Sequence, residues 1–95
     1  MVDQAGVWEV AVIEFSHVVT DREGLHARPV TVICCAARKW SCGITVSCGS
    51  RVADARDLLQ LMGLMARRGD TLVFKLDGAD EQDAAAAIET AIEML

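Results

Sequence analysis

The sequence predicts an α+β domain, an antiparallel sheet of four strands with three helices on one face. Three observations carry this. Four short segments alternate side chains with a period of two or read as short strands around a tight turn. Three others repeat apolar residues at helical spacing behind a turn or capping residue. In chain order the segments read β-α-β-β-α-β-α, which suits a two-layer α+β arrangement. At 95 residues, just over half of them apolar and about a quarter charged, the chain makes one globular domain with one core. A domain of this size buries a limited share of its surface, so every element must serve that core.

Residues 1–11 read as an N-terminal extension and residues 12–95 as the domain. In the first strand Ile13, Phe15, His17 and Val19 alternate with Glu14, Ser16, Val18 and Thr20. His17 falls on the apolar side and reads as a half-buried, satisfied histidine. Asp21-Arg22-Glu23-Gly24 is a turn, and Pro29 then marks the start of a helix near residue 27. Proline is tolerated in the first helical turn because its missing N–H has no partner there anyway. Val30, Ile33, Cys34 and Ala37 share one face of that helix. Ile44, Val46 and Cys48 form a second strand, Gly49-Ser50 a turn, and Arg51-Val52-Ala53 a short third strand.

Asp57 opens the second helix, with Gln60 placed to complete a capping box. Helical spacing puts Leu58, Leu61, Met62 and Met65 in a buried stripe and leaves Leu59 and Leu64 off it, partly exposed. Gly69 ends this segment, and Leu72, Phe74 and Leu76 alternate through a fourth strand. Asp80 is the expected N-cap of the last helix, whose inner face is Ala84, Ala85, Ile88, Ala91, Ile92 and Leu95.

The charge balance narrows the functions open to such a domain. A formal net charge of −5 without a Lys/Arg stripe argues against nucleic acid. No apolar run is long enough to span a bilayer, and Met1-Val2-Asp3-Gln4 lacks the basic and apolar regions of a secretory signal, so a cytoplasmic location is expected. Cys34, Cys35, Cys42 and Cys48 contain no C-x-x-C pair. The adjacent Cys34 and Cys35 diverge by about 100° on a helix, so all four read as reduced thiols, with neither metal nor other cofactor.

His26 stands apart from this background. It lies at or beside the N-cap of the first helix, where unpaired backbone N–H groups make an anion site. Arg28 adds a planar cation suited to phosphate oxygens. The positive helix end disfavours an imidazolium and so favours the nucleophilic neutral ring. Nucleophile and anion cradle are thereby built into one turn.

The run Gly24-Leu25-His26-Ala27-Arg28-Pro29 resembles the active-site signature of the HPr family, the histidine-containing phosphocarriers of the phosphoenolpyruvate-dependent phosphotransferase system. The resemblance extends over residues 12–95 and includes Gly49-Ser50, the helix from Asp57, Gly69, and Gly78-Ala79-Asp80-Glu81. It implies an open-faced β-sandwich with strand order 1-4-2-3 and three helices on one face. It implies a phosphocarrier rather than an enzyme: a monomer in which enzyme I phosphorylates His26 on Nδ1, Arg28 contacts the phosphoryl group, and enzyme II A domains receive it. It implies a docking surface that includes Ala27, Thr31, Leu58, Leu59 and Met62. Asp57 replaces the regulatory serine of many members, and Glu23 replaces a small polar residue. These two departures motivate a second expectation, a regulatory paralogue serving as a protein-binding module in a nitrogen- or carbon-regulatory branch.

Overall fold

In the computed structural model, which describes residues 12–95, the chain runs β1 (Ile13–Val18), α1 (Ala27–Ala37), β2 (Gly43–Cys48), β3 (Arg51–Asp54), α2 (Leu58–Met62), β4 (Thr71–Asp77) and α3 (Glu81–Glu93). The expected extension over residues 1–11 lies outside the described residues. All strand pairs are antiparallel, in the order β1-β4-β2-β3. The order follows from the connections. β2 and β3 are joined by the Gly49-Ser50 turn and pair directly, whereas β4 returns from α2 to lie between β1 and β2.

Period-two alternation decides which face is covered. Leu72, Phe74 and Leu76 of β4 point into the core with Ile44 and Val46 of β2, and their neighbours Thr71 and Lys75 face outward. Phe15 lies directly opposite Phe74 in the register, and the two rings stack with centroids 4.8 Å apart. Helices fill the inner side with Val30, Ile33, Cys34 and Ala37 of α1, Leu61 of α2, and Ala84, Ala85, Ile88 and Ile92 of α3. Ala91 and Leu95, expected with them, are only half-buried. The alanines let α3 lie close against α1 and the sheet. His17 occupies the helix side of β1, where burial lowers its pKa below the ordinary 6.5 and Glu93 opposes the shift.

Two local expectations are corrected. The stripe in the second helix is not the one helical spacing suggests: Leu58, Met62 and Met65 are exposed, and Leu64 is buried at 2 % exposure. The helix is only five residues long, so its period stops at Met62. Beyond Gly63 the chain turns, Met65 takes a positive φ of 53°, and Leu64 and Ala66 drop into the core. Asp80 is the N-cap by position, but its carboxylate does not cap α3. It accepts instead from Ser41 N (3.0 Å), Ser41 Oγ (3.2 Å) and Cys42 N (3.0 Å), tying α3 to the loop after α1. Those donors hold the Asp80 carboxyl below its ordinary range.

Candidate functional site at the start of helix α1

The turn that carries His26 is held from both sides. Within the turn, Gly24 N donates to the Asp21 carbonyl at 2.9 Å, and His26 N donates to the Gly24 carbonyl at 3.0 Å. From the loop after α2, the Ala66 carbonyl accepts from Leu25 N at 3.0 Å. Gly24 has φ +73°, and a Cβ built there would stand 2.5 Å from that same Ala66 oxygen. The position therefore needs glycine for both its conformation and its close approach. Leu25 is buried beneath the turn, so the chain is anchored one residue before His26.

His26 is the N-cap of α1, with extended backbone angles, and its carbonyl accepts from Val30 N at 3.2 Å. Ala27 and Arg28 are the first helical residues, so their N–H groups have no intrahelical acceptor. Pro29 is buried and removes a donor at a position where one would be unpaired. The imidazole makes no capping bond of its own. Its Nε2 instead meets Asp21 Oδ2 at 3.0 Å, while Arg28 Nη2 approaches the same oxygen at 3.4 Å. Exposure rises outward through the three, from 22 % for the Asp21 side chain to 31 % for His26 and 72 % for Arg28. Asp21 Oδ1 accepts from Glu23 N at 2.9 Å. That bond first, and then His26 and Arg28, hold the Asp21 carboxyl below its ordinary range.

His26 and Arg28 are thus brought together as their spacing suggests. Ala27 is exposed on the first turn. Thr31 is exposed, and its hydroxyl donates back to the Ala27 carbonyl at 2.8 Å. Leu58, Leu59 and Met62 lie exposed on α2, which packs beside α1, and Leu59 presents 82 % of its surface to solvent. Asp57 Oδ1 accepts from Gln60 N at 3.0 Å, the expected cap. The reciprocal bond is absent, because Gln60 Oε1 accepts from Asp54 N at 2.8 Å. The sequence marks Asp21 only as a turn residue: an aspartate three residues before a glycine predicts a turn but not the direction of the second carboxylate oxygen.

Behind the turn lies a cavity of about 10 Å³, lined by His17, Val19, Asp21, Leu25, Pro29 and Leu95 among others. It has room for a single water molecule at most, and His26 is not among its lining residues. Among the described residues no group of three or more His, Cys, Asp or Glu side chains is placed to hold a metal ion. Among the same residues no helix is long and apolar enough to cross a membrane. What the arrangement offers is a partly exposed imidazole at a positive helix end, with an exposed cation beside it and a carboxylate behind it.

Residues 13–94 match the family described as PTS HPr component phosphorylation site. The chain belongs to the HPr family of phosphotransferase-system phosphocarriers. It is 35 % identical over 81 residues to the phosphocarrier protein HPr of Mycoplasma genitalium, covering 84 % of this chain and 92 % of the relative. A solved mycoplasma histidine-containing phosphocarrier protein superimposes with a TM-score of 0.81 at 30 % identity, over 84 % of this chain and 91 % of that one. An HPr from Thermoanaerobacter tengcongensis does so with a TM-score of 0.79 at 28 % identity, over 85 % and 91 %. The expected HPr fold, with its strand order and three helices, is the one observed.

Proposed function

We propose that this HPr-family protein is a cytoplasmic, stoichiometric phosphoryl carrier that accepts the group from phosphorylated enzyme I on His26 and delivers it to enzyme II A domains. The observation that carries the reading is the placement of His26 at the N-cap of α1, partly exposed, with the Arg28 guanidinium beside it. The free N–H groups of the first turn and Arg28 suit the negative charge of a bound phosphoryl group. A nitrogen–phosphorus bond keeps high transfer potential, so the same site can release what it accepts. The carrier is consumed and regenerated by its partners and is no catalyst. Asp21, His26 and Arg28 all come from one short stretch of one chain, which supports action as a monomer.

The exposed apolar side chains Leu58, Leu59 and Met62, with Ala27 and Thr31 on α1, form the docking surface in this reading. Apolar groups around a reactive residue suit brief protein–protein contact. The test is incubation with phosphoenolpyruvate and enzyme I, followed by intact-mass measurement. Wild type is expected to gain one acid-labile phosphoryl group. His26→Ala is expected to gain none while keeping its fold by circular dichroism. Transfer that persists in the mutant rejects His26 as the acceptor.

A further inference from the structure

The contact between Asp21 and His26 has chemical consequences that the turn alone does not require. Asp21 is fastened as a rigid partner. Its backbone carbonyl closes the turn on Gly24, and Oδ1 accepts from Glu23 N. Only Oδ2 is left to face the site, and it stands 3.0 Å from His26 Nε2. An ionised carboxylate can only accept, so the bond requires a proton on Nε2. When the ring is neutral, its lone pair then belongs to Nδ1. No protein group among the described residues bonds Nδ1.

We propose that Asp21 is a positioning residue for phosphoryl transfer, which holds His26 as its Nε2–H tautomer and balances the charge that the ring acquires when Nδ1 is phosphorylated. The step balances as follows. The Nδ1 lone pair forms a bond to phosphorus as the donor's bond to phosphorus breaks, and the donor keeps that electron pair. The Nε2 proton stays in place, so the phosphorylated ring carries a positive charge opposite the Asp21 carboxylate. The hydrogen-bonded carboxylate stabilises that cation in the way a buried aspartate supports a catalytic histidine elsewhere. Arg28 shares Oδ2 at a longer 3.4 Å and is far more exposed, so it can turn from Asp21 to the arriving phosphoryl oxygens while His26 keeps its partner. The low pKa of Asp21 is consistent with a carboxylate that stays ionised throughout.

This assignment rests on the phosphocarrier reading for its second half but not for its first. Two variants separate the roles. Asp21→Asn keeps an acceptor oxygen for Nε2–H but removes the charge, and Asp21→Ala removes both. Nitrogen-15 NMR of the unphosphorylated protein at alkaline pH is expected to show a single Nε2–H tautomer in wild type and Asp21→Asn and a mixture in Asp21→Ala. Phosphoryl transfer from enzyme I is expected to fall by about tenfold or more in Asp21→Ala, with Asp21→Asn between it and wild type. Nuclear magnetic resonance of the wild-type phosphoprotein is expected to place the group on Nδ1. A wild-type tautomer pattern in Asp21→Ala, or equal transfer rates in all three proteins, overturns the proposal. If wild type accepts no phosphoryl group, the carrier reading and charge balancing fail together, while the tautomer pattern still decides whether Asp21 orients the ring. Asp21→Asn can keep the Asx turn, so its folded state preserves the test if Asp21→Ala is unstable.

Discussion

Asp57 begins α2 at the position where the family resemblance leads one to expect a regulatory serine, and its carboxylate is already engaged by Gln60 N at 3.0 Å. An aspartate at a helix start is favoured by the dipole as well as by this bond. It has no hydroxyl to modify, so a serine-directed kinase is expected to leave this position unlabelled. Because serine caps nearly as well, Asp57→Ser is expected to change stability by less than about 0.5 kcal/mol, whereas Asp57→Ala costs about 1 kcal/mol. With the carboxylate turned into the cap, Asp57→Ser is also expected to leave the rate of transfer from enzyme I unchanged. Thermal melts and transfer rates measured together check this. A clearly faster Asp57→Ser protein would show that the charge acts on the docking face as a partial mimic of phosphoserine.

At the scale of elements, the short helix α2 and the loop behind it do two jobs. Its exposed residues Leu58, Leu59 and Met62 face solvent, while Leu64 and Ala66 run into the core and the Ala66 carbonyl fastens the histidine-bearing turn. Leu64→Ala is expected to cost about 2–5 kcal/mol, the range for emptying a buried leucine site. Leu59→Ala, at 82 % exposure, is expected to stay within about 0.5 kcal/mol of wild type but to weaken docking, seen as a higher KM for transfer at unchanged melting temperature. The reverse pattern would mean that the exposed leucine is structural. Gly24→Ala joins the two jobs. Its new Cβ would press on the Ala66 oxygen at a positive φ. The expected strain is about 1–3 kcal/mol, and transfer is expected to fall because the turn under His26 must shift. Urea unfolding and transfer kinetics on this one variant measure both.

For the whole molecule, stability is expected to decline in two stages as the solution is acidified. Burial lowers the pKa of His17 in the fold below 6.5, so the unfolded chain binds its proton more readily. Its stabilising contribution is present above about 6.5 and is lost as pH falls from there through the folded value. Asp21 and Asp80 are lowered from 3.8, so their contributions are present above that value and lost as pH falls through their folded values. Urea titrations at stepped pH are expected to show two stages of weakening, and His17→Gln is expected to remove its share of the upper one. Stability that rises between pH 7 and pH 5 in wild type contradicts the assignment. The Cys42 thiol, raised to about 11 by burial first and by Asp80 next, is expected to resist alkylation at neutral pH in the folded protein.

By itself the sequence determined the element order, the face each strand buries, the His26 and Arg28 pair and the Asp57 cap. Each of these depends on residues no more than a few positions apart, through side-chain period, the fixed φ of Pro29 and unpaired N–H groups at a helix start. The strand order and open-faced arrangement were legible as well, but through the family resemblance of the Gly24–Pro29 run rather than through periodicity. Tertiary structure decided where the period broke and where carboxylates turned. Leu64 is buried because α2 stops at Met62 and the chain must return to β4, a change of direction that helical spacing does not encode. Asp80 leaves its own helix to bind Ser41 and Cys42, nearly forty residues away. Asp21 meets His26 only five residues on, yet the shape of the turn between them depends on Leu25 and Gly24 lying against Ala66. A carboxylate's partner is set by which donors the folded chain brings within about 3 Å, and that is decided by packing between distant segments.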